Sequence, residues 1–488
     1  MNRISRSIVV LSSVATSFGL YKYVTSKAKN EKFQPIRSVS DHPTSIVIGT
    51  GIIGLTSAYY LAKSGHKVIC IEKREDVALE TSYKNGALIC PSLLTPWANS
   101  DVPKKYFKSI FSWSSSTPTS TKIWPSTFFS MKFYRWMYEY LKNCTTKAQV
   151  RNAANLLTLS MYSRQCLDDI LKENAISFSR HTTGSLQLAV DPVIFEQLVE
   201  ESKHIDDIQV FSSPEEVTKH EPILISVKNR IYGGVFSSSD TNGNIYEFCC
   251  ELKRILIEKY NVQFVFNEEI QDFIVSTTVQ SHTGHQQRHV SGVITTNNTK
   301  FENADNIILA NGNYVMPLTE KLSIYIPVYP VKGYTVEIKT APNIPLPKVN
   351  LVDDVNKLYI SALKPTAQQG IVRVSGLAEF AGWKDIGVLS EPDRAQYLYE
   401  QTIAWLPHIA SYEKVFHSCS RPVSADDVPL IGRCSNFDNL FINCGHGSKG
   451  WTLAFGSAAL LADTINQKTD NTDRDSLISE RYSPNRFQ

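Results

Sequence analysis

The segment from Ser45 to Glu72 constrains the fold of this chain more than any other. A short apolar strand, Ile46-Val47-Ile48, leads into Gly49-Thr50-Gly51-Ile52-Ile53-Gly54, and a helix-compatible stretch and a second apolar strand follow. Three glycines at this spacing allow a tight turn, a close approach of the backbone to a pyrophosphate, and close packing of helix on strand. The helix N-terminus favours anions, and Glu72 lies where a carboxylate would accept hydrogen bonds from ribose hydroxyls. The segment therefore predicts a Rossmann-type unit that binds a dinucleotide.

Length, charge and cysteine content narrow the class of protein. A chain of 488 residues is too long for one small core, so we expect at least two domains. The formal net charge of +3 is near neutral, and no dense basic tract in the body indicates a nucleic-acid partner. The nine cysteines are scattered without the spacing of a zinc or iron–sulfur site. We therefore expect reduced thiols in an intracellular compartment and no bound metal.

The first 44 residues do not belong to the dinucleotide-binding unit. Arg3 and Arg6 precede a broken apolar stretch, Ile8–Val24, and the first acidic residue is Glu31. This pattern is typical of a mitochondrial targeting segment, and the apolar stretch is long enough for a marginal membrane span. We therefore expect a mitochondrial protein whose residues 1–44 are either cleaved or retained as an inner-membrane anchor. A secretory signal and a disordered extension are the alternatives.

Two internal regions invite a functional interpretation. The region Lys104–Lys142 is rich in aromatic and basic residues, which predicts either a membrane-surface patch or, as we prefer, a helix whose aromatic side chains pack in the core. The polar region Val275–Asn306 contains His282, His285 and His289. Because no cysteine, aspartate or glutamate lies close to these histidines in the sequence, we interpret the run as a solvated hairpin loop rather than a metal site.

The C-terminal third contains a second glycine-rich junction between a strand and a helix. Leu440–Asn443 is an apolar strand, Gly445-His446-Gly447-Ser448-Lys449-Gly450 follows, and the sequence predicts a helix from Trp451 to about Ile465. Backbone N–H groups at such a junction favour an anion or the electron-rich edge of a reduced flavin. Before it, strand-like segments alternate as in an antiparallel sheet. They are Ile326–Val331, Tyr334–Ile338, Lys357–Leu363 and Val372–Ala378.

Further motifs follow one another in collinear order from Ser45 to the end of the chain. They include Glu80-Thr81-Ser82-Tyr83-Lys84-Asn85, Pro96-Trp97-Ala98, Tyr329-Pro330-Val331-Lys332-Gly333-Tyr334, Arg421-Pro422-Val423, and Gly445-His446-Gly447 with Gly450-Trp451-Thr452. With these motifs the chain resembles the FAD-dependent D-amino-acid oxidase superfamily, and within it the bacterial D-amino-acid dehydrogenase small subunit. The resemblance implies a mixed α/β fold, in which a Rossmann-type FAD-binding domain of discontinuous segments accompanies an antiparallel-sheet substrate domain. It assigns residues 45–95, 233–318 and 418–488 to the FAD-binding domain, and 96–232 and 319–417 to the substrate domain.

The resemblance also implies which residues hold FAD, without a covalent bond. It assigns the adenosine end to the first glycine motif and Glu72, and the flavin ring to the Thr81–Asn85 loop and the C-terminal junction. The residues so implied are Gly49, Gly51, Ile52, Ile53, Gly54, Glu72, Lys73, Thr81, Ser82, Asn85, Ile270, Gly312, Gly447, Gly450, Trp451 and Thr452.

Arg421 resembles the arginine that pairs with the substrate carboxylate in this family. A planar guanidinium can bind a carboxylate through two hydrogen bonds and so fix which Cα–H faces the flavin. The alternative is a structural arginine that caps a loop or pairs with Asp426. Tyr334 and Tyr359 are weaker candidates for the substrate pocket, since both alternate along strands and could be core residues.

Two positions depart from the family pattern. The family usually reads Asn-Ala-Gly where this chain reads Asn85-Gly86-Ala87, so we expect a different backbone contact with the flavin there. Lys449 replaces a residue that is apolar in the bacterial relatives. A lysine here could stabilise an anionic reduced flavin or alter its reaction with oxygen, but our default interpretation is a side chain in solvent.

The activity that the resemblance implies is the oxidative deamination of D-amino acids. A hydride would leave Cα for flavin N5, and the imine would hydrolyse to a 2-oxo acid and ammonia. Either a quinone or oxygen could accept the electrons, and a quinone suits an enzyme attached to a membrane through its N-terminus. The alternatives are an enzyme that acts on glycine, sarcosine or proline, and a mitochondrial assembly factor that binds FAD without turnover.

Overall fold

The computed structural model describes residues 42–100, 102–103, 121–203, 205, 207–279, 286–363, 369–383, 389, 392–466 and 480–488. The predicted targeting segment, up to residue 41, lies outside them. Within these residues, no helix combines the length and the apolar composition that a membrane span requires.

The elements are numbered along the chain. The strands are β1 (Thr44–Ile48), β2 (Lys67–Ile71), β3 (Leu88–Ile89), β4 (Thr121–Ile123), β5 (Arg180–His181), β6 (Ser185–Ala189), β7 (Ile208–Phe211), β8 (Gly233–Ser237), β9 (Thr241–Gly243), β10 (Gln263–Val265), β11 (Ile270–Val279), β12 (Gln286–Thr295), β13 (Lys300–Glu302), β14 (Asn306–Leu309), β15 (Val328–Thr340), β16 (Asn350–Asp353), β17 (Leu358–Leu363), β18 (Gly370–Phe380), β19 (Glu413–Ser424), β20 (Leu430–Arg433) and β21 (Leu440–Cys444). The α-helices are α1 (Ile52–Lys63), α2 (Met131–Asn143), α3 (Thr146–Glu173), α4 (Pro192–Ser202), α5 (Pro214–His220), α6 (Ile245–Tyr260), α7 (Val315–Glu320), α8 (Pro392–Trp405) and α9 (Gly450–Asn466).

The sheet that carries the first glycine motif has the strand order β10-β2-β1-β14-β21-β20. Its strands run parallel except β20, which pairs antiparallel with β21. They are almost continuously apolar because both faces of the sheet are covered. On one face Val47 joins a core built with α1, α3, α6 and α9. On the other, Ile46 and Ile48 pack with residues of β11, β12 and α7.

The second large sheet has the order β19-β15-β18-β17-β16-β6-β8-β7, and β4 pairs with the end of β18. Most of its pairs are antiparallel, as predicted, and two of the predicted strands merge into β15. The register with β18 shifts between Lys332 and Tyr334, where Gly333 lies. The strand Gly233–Ser237, which the sequence boundaries assign to the FAD-binding domain, pairs within this sheet. The fold is thus a mixed α/β structure with a Rossmann-type sheet and a large, mainly antiparallel sheet, which confirms the predicted fold class.

The region Val275–Asn306 differs from its prediction. Much of it forms β11, β12 and β13 of a three-stranded antiparallel sheet, so the predicted hairpin is present as paired strands rather than as a loop, and Val290 and Val293 are buried with Phe273. His282 and His285 lie outside the residues described here. His289 finds a carboxylate outside the run, since its Nδ1 lies 2.8 Å from Oδ1 of Asp438. No cluster that could hold a metal ion occurs in the part of the chain that the structure describes.

The aromatic region is described from residue 121 onward. There Phe133, Trp136 and Tyr140 of α2 are buried against Tyr329 and Phe380 of the large sheet, as the core interpretation predicts. The opposite face of α2 leaves Met131, Tyr134, Tyr138 and Leu141 exposed. The residues 104–120 lie outside the described ranges.

Candidate cofactor and substrate site

A cavity of about 1840 Å³ runs between the two large sheets. Its walls are formed by loops at the carboxyl ends of β1, β2 and β14, by β17, β18 and β19, and by the start of α9. Most of the site residues predicted from the sequence share this one cavity. On its walls lie Gly49, Gly51, Ile52, Ile53, Glu72, Lys73, Thr81, Ser82, Asn85, Ile270, Gly312, Tyr359, Arg421, Gly447, Gly450, Trp451 and Thr452.

The first glycine motif has the geometry of a phosphate site. Gly49 has a φ of +93°, and a Cβ at Gly54 would collide with the carbonyl oxygen of Gly49, so both positions require glycine. Gly51 is the N-cap of α1, and because it is a glycine, no side chain caps the N–H groups of the helix at this position. One of the first N–H groups of the helix, that of Ile52, donates to Oγ of Ser82 at 3.1 Å. The remaining first-turn N–H groups have no intrahelical partner and suit a phosphate.

Glu72 is held rigidly at the cavity wall. Its Oε2 accepts hydrogen bonds from the N–H (2.8 Å) and the hydroxyl (2.9 Å) of Thr50, and Oε1 accepts one from the N–H of Arg74 (3.0 Å). Lys73 beside it pairs with Glu80 at 3.0 Å, and its Nζ lies 3.3 Å from the ring centre of Tyr314. The carboxylate is therefore fixed before any ligand arrives, which suits recognition of a ribose.

The loop after β2 is tied to the strand that carries Arg421. The carbonyl oxygen of Ser420 accepts hydrogen bonds from Oγ1 of Thr81 (2.6 Å) and Nδ2 of Asn313 (2.7 Å). Farther along the loop, Nζ of Lys84 pairs with Oε2 of Glu337 at 2.8 Å. The loop predicted to contact the flavin is thus anchored to the substrate sheet at several points, because Thr335 and Ser361 also donate hydrogen bonds to its carbonyl oxygens.

Gly86 and Ala87, whose order is reversed relative to the family pattern, are each explained by a different feature of the structure. A Cβ at Gly86 would collide with Oγ of Ser375, so the smaller residue is needed there. Ala87 takes the left-handed φ of +61°, which normally favours glycine. Its N–H donates to Oδ1 of Asn85 at 2.8 Å, which helps to hold this conformation. Ala87 thus takes a left-handed conformation at the position where the family pattern has glycine, and the different backbone contact with the flavin stays a prediction.

The second glycine-rich junction closes the other end of the cavity. Gly447 has a φ of +55°, and Gly450 is the first residue of α9. Oγ1 of Thr452 accepts a hydrogen bond from the N–H of Cys90 at 3.2 Å. Nε1 of Trp451 is buried and has no hydrogen-bond partner among the described residues.

His446 supports this junction in its neutral form. Burial lowers its pKa to about 3. The hydroxyl of Ser457 donates to the carbonyl oxygen of Leu453, so Nε2 of His446 must donate to Ser457, 2.9 Å away. The imidazole therefore positions the loop and carries no charge.

Lys449 does not point into solvent, so the default interpretation is wrong. Its side chain is 5% exposed and lies on the cavity wall, with Nζ 3.6 Å from Oδ2 of Asp427. A sequence pattern alone gives no signal for this pairing, because Asp427 belongs to a different turn.

Arg421 lies on the cavity wall near the second junction. Its Nη1 donates to the carbonyl oxygen of Leu377 (2.8 Å) and its Nη2 to that of Gly376 (3.3 Å), and its guanidinium lies 5.7 Å from the ring centre of Trp97. In the described ranges no ion pair joins it to a carboxylate, and Asp426 pairs with Arg486. Arg421 is therefore oriented by neutral groups, with its positive charge left for a ligand.

The two tyrosine candidates differ in position. Tyr359 lies on the cavity wall, and burial raises the pKa of its hydroxyl, so it is a neutral donor. Tyr334 is fully buried and is not one of the cavity-lining residues; its hydroxyl donates to Oε2 of Glu379 at 3.0 Å. Gly54 likewise lies behind the wall. Trp97 and Tyr314 line the cavity although no role was predicted for them, and only the family motif around Trp97 gave a signal.

These observations fit FAD. The fingerprint provides the close approach and the free N–H groups that a pyrophosphate needs, and the rigid Glu72 suits the ribose. The cavity continues from there to the second glycine-rich junction, so one elongated ligand can reach both ends. Shape and donors therefore match a dinucleotide, and Arg421 lies on the wall of the same cavity.

The chain belongs to the FAD dependent oxidoreductase family, which matches residues 45–464. A D-amino acid dehydrogenase from Xanthobacter autotrophicus is 30% identical over 441 residues, which cover 90% of this chain and 99% of that protein. Among solved structures, glycine oxidase from Geobacillus kaustophilus matches with a TM-score of 0.64 and 18% identity, over 91% of this chain and 98% of that one. L-proline dehydrogenase from P. horikoshii matches with a TM-score of 0.63 and 17% identity, over the same two shares. The structural matches show a common fold.

Proposed function

We propose that this enzyme oxidises D-amino acids with non-covalently bound FAD, producing a 2-oxo acid and ammonia. The observation that carries the proposal is the guanidinium of Arg421, which lies on the cavity wall without an acidic partner in the described residues. The likeness to a D-amino acid dehydrogenase over nearly its whole length supports the substrate class.

Arg421 has the hydrogen-bonding capacity for a carboxylate. A guanidinium has five N–H groups, and two of them donate to backbone carbonyl oxygens. The others can bind both oxygens of a substrate carboxylate, which would orient the Cα–H bond. Trp97 beside the guanidinium shields the carboxylate from water and so strengthens the ion pair.

The cavity needs no strong side-chain base for the reaction. FAD, when bound, supplies the acceptor for the hydride that leaves Cα. His446 is neutral and bonded to Ser457, and Tyr359 keeps its proton, so neither is a strong base. The substrate amine must therefore reach the site unprotonated, and its lone pair then assists departure of the hydride.

Two further parts of the proposal concern location and the electron acceptor. The Arg-containing, acid-free start of the chain supports a mitochondrial location with attachment to the inner membrane. A quinone is then the acceptor that suits the enzyme. Fusing residues 1–44 to a fluorescent protein tests the location, and stopped-flow reoxidation by oxygen and by a quinone analogue compares the acceptors.

Anaerobic mixing of the purified holoenzyme with amino acids tests the activity. We expect D-amino acids to bleach the flavin absorbance, whereas L-amino acids leave it unchanged. Bleaching by glycine, sarcosine or proline instead would support a glycine- or secondary-amine enzyme, the activities named for the two structural matches. Bound FAD that no amine bleaches would overturn the proposal and favour an assembly factor. Release of yellow flavin by acid precipitation tests non-covalent binding.

A further inference from the structure

The buried ammonium group of Lys449 is not accounted for by binding of an amino acid. Lys449 lies between the junction residues Gly447 and Gly450 and lines the cavity with them. Its side chain is 5% exposed, and Nζ has no hydrogen-bond partner in the part of the chain that the structure describes. Burial of an ammonium without hydrogen bonds is costly, so this arrangement favours an anionic group in the cavity beside it.

Asp427 does not satisfy Lys449. The 3.6 Å between Nζ and Oδ2 of Asp427 exceeds the usual length of a hydrogen bond. The same Oδ2 accepts a hydrogen bond from the N–H of Trp97, and Asp427 has the left-handed φ of +66°. The carboxylate therefore accepts its hydrogen bond from the backbone of the Trp97 loop, and it forms a long ion pair with the ammonium without a hydrogen bond to it.

The surroundings add to the positive potential at this end of the cavity. His446 on the same loop contributes no charge, because its imidazole is neutral. The N-terminus of α9, a helix that runs from Gly450 to Asn466, directs its dipole toward the cavity. Arg421 contributes a second cation to the wall but serves the substrate carboxylate in the proposed function.

We propose that Lys449 stabilises the negative charge that the bound flavin acquires when it is reduced. The family resemblance assigns Gly447–Thr452 to the N1–C2=O edge, where that charge resides. In a buried site a single ammonium within a few ångströms has a large effect on an anion. The inference rests on membership of the FAD-dependent family and is independent of which amine is oxidised.

Sulfite titration of the oxidised holoenzyme tests this role without turnover. The sulfur lone pair of sulfite forms an S–N5 bond, no group leaves, and the electron pair displaced into the ring places a negative charge at the N1–C2=O edge. We expect Lys449→Met to weaken sulfite binding about 10-fold or more, and Lys449→Arg to restore most of it. The midpoint potential of the bound flavin should fall in Lys449→Met and recover in Lys449→Arg.

Two comparisons separate a charge effect from a structural one. Lys253→Met removes a lysine that pairs with Asp76 at 2.6 Å outside the cavity, and it should leave the sulfite affinity unchanged. Asp427→Asn keeps the side-chain shape and removes the opposing charge, so it should strengthen sulfite binding several-fold. If Lys449→Met binds sulfite as the parent enzyme does, or if Asp427→Asn loses stability without a gain in sulfite affinity, the proposal is wrong. If Lys449→Met does not retain FAD, the sulfite affinity of Asp427→Asn tests the proposal instead: an increase supports it, and no increase contradicts it.

Discussion

Arg486 binds Asp426 through two parallel hydrogen bonds, from Nε to Oδ2 and from Nη2 to Oδ1, each 2.8 Å long. Asp426 is the acidic residue nearest to Arg421 in the sequence, and Arg486 occupies both of its carboxylate oxygens. The pairing of Arg421 with Asp426, considered as a structural alternative, is therefore not formed. Only the folded chain brings Arg486 to this position, 60 residues after its partner.

Arg421→Met should strongly impair substrate binding. Because the variant lacks the bidentate ion pair in a partly buried site, we expect kcat/KM for D-amino acids to fall roughly 100-fold or more. Arg421→Lys keeps the charge but not the planar guanidinium, so its kcat/KM should lie between that of the parent enzyme and that of Arg421→Met. Steady-state kinetics measure both, and the flavin absorbance confirms that FAD is retained. An unchanged apparent affinity in Arg421→Met would contradict the assignment of the carboxylate anchor.

Ala87→Gly should stabilise the protein. The left-handed φ of +61° costs an alanine about 1 kcal/mol or more, whereas glycine adopts it freely. After allowance for the greater freedom of glycine in the unfolded chain, we expect a gain of about 0.5–1 kcal/mol in the free energy of unfolding. Denaturant titration of the holoenzyme measures it, with Ala58→Gly in the interior of α1 as a control that should be destabilised. Destabilisation of both variants to the same degree would refute the prediction.

Asp240 should make stability depend on pH. Burial raises its pKa from 3.8 to about 6, and hydrogen bonds from Ser92 only partly oppose this. Because the folded-state pKa lies above the unfolded one, the folded protein loses stability as the pH rises from about 4 to above 6. The change corresponds to about 3 kcal/mol.

Comparison with Asp240→Asn isolates this contribution, since asparagine does not ionise. The free energy of unfolding of the variant, relative to the parent enzyme, should increase between pH 4 and pH 7. Asp169→Asn, at an exposed position on α3, provides the control. A relative stability that does not change over this pH range would exclude the proposed effect of Asp240.

Glu337 should be essential for the stability of the cofactor loop. Its two carboxylate oxygens pair with Arg373 (2.7 Å), which is 2% exposed, and with Lys84 (2.8 Å). Burial alone would raise the pKa of Glu337, but the two cations outweigh it and hold the pKa below its usual value. Glu337→Gln leaves both cations without a counter-charge, so we expect a loss of about 3–5 kcal/mol in the free energy of unfolding.

Because Lys84 belongs to the loop that contains Thr81 and Asn85, Glu337→Gln should also weaken FAD retention during dialysis. Glu413→Gln offers a matched control, since Glu413 pairs with Lys339 in an exposed position. That variant should unfold and retain FAD like the parent enzyme. Equal stability of the two glutamine variants would show that the Glu337 cluster contributes little.

Local patterns predicted the elements that carry the cofactor site. The strand Thr44–Ile48 and the helix Ile52–Lys63 follow the apolar run and the glycine motif, and α9 begins where the second junction predicts it. These elements depend on short-range sterics and hydrophobic periodicity, which the sequence displays directly. Local patterns did not predict the paired strands within Val275–Asn306, because the burial of Val290 and Val293 depends on a distant face of the parallel sheet.

The sequence by itself determined the dinucleotide motif, the family and the local elements that follow the two glycine-rich junctions. Tertiary structure alone decided the charge environment of the site. It placed Arg486 on Asp426, enclosed Lys449 beside Asp427, and directed the hydroxyl of Tyr334 to Glu379 rather than the cavity. The physical reason is that backbone conformation follows from neighbouring residues, whereas the free energy of a buried charge depends on whichever groups folding brings within a few ångströms.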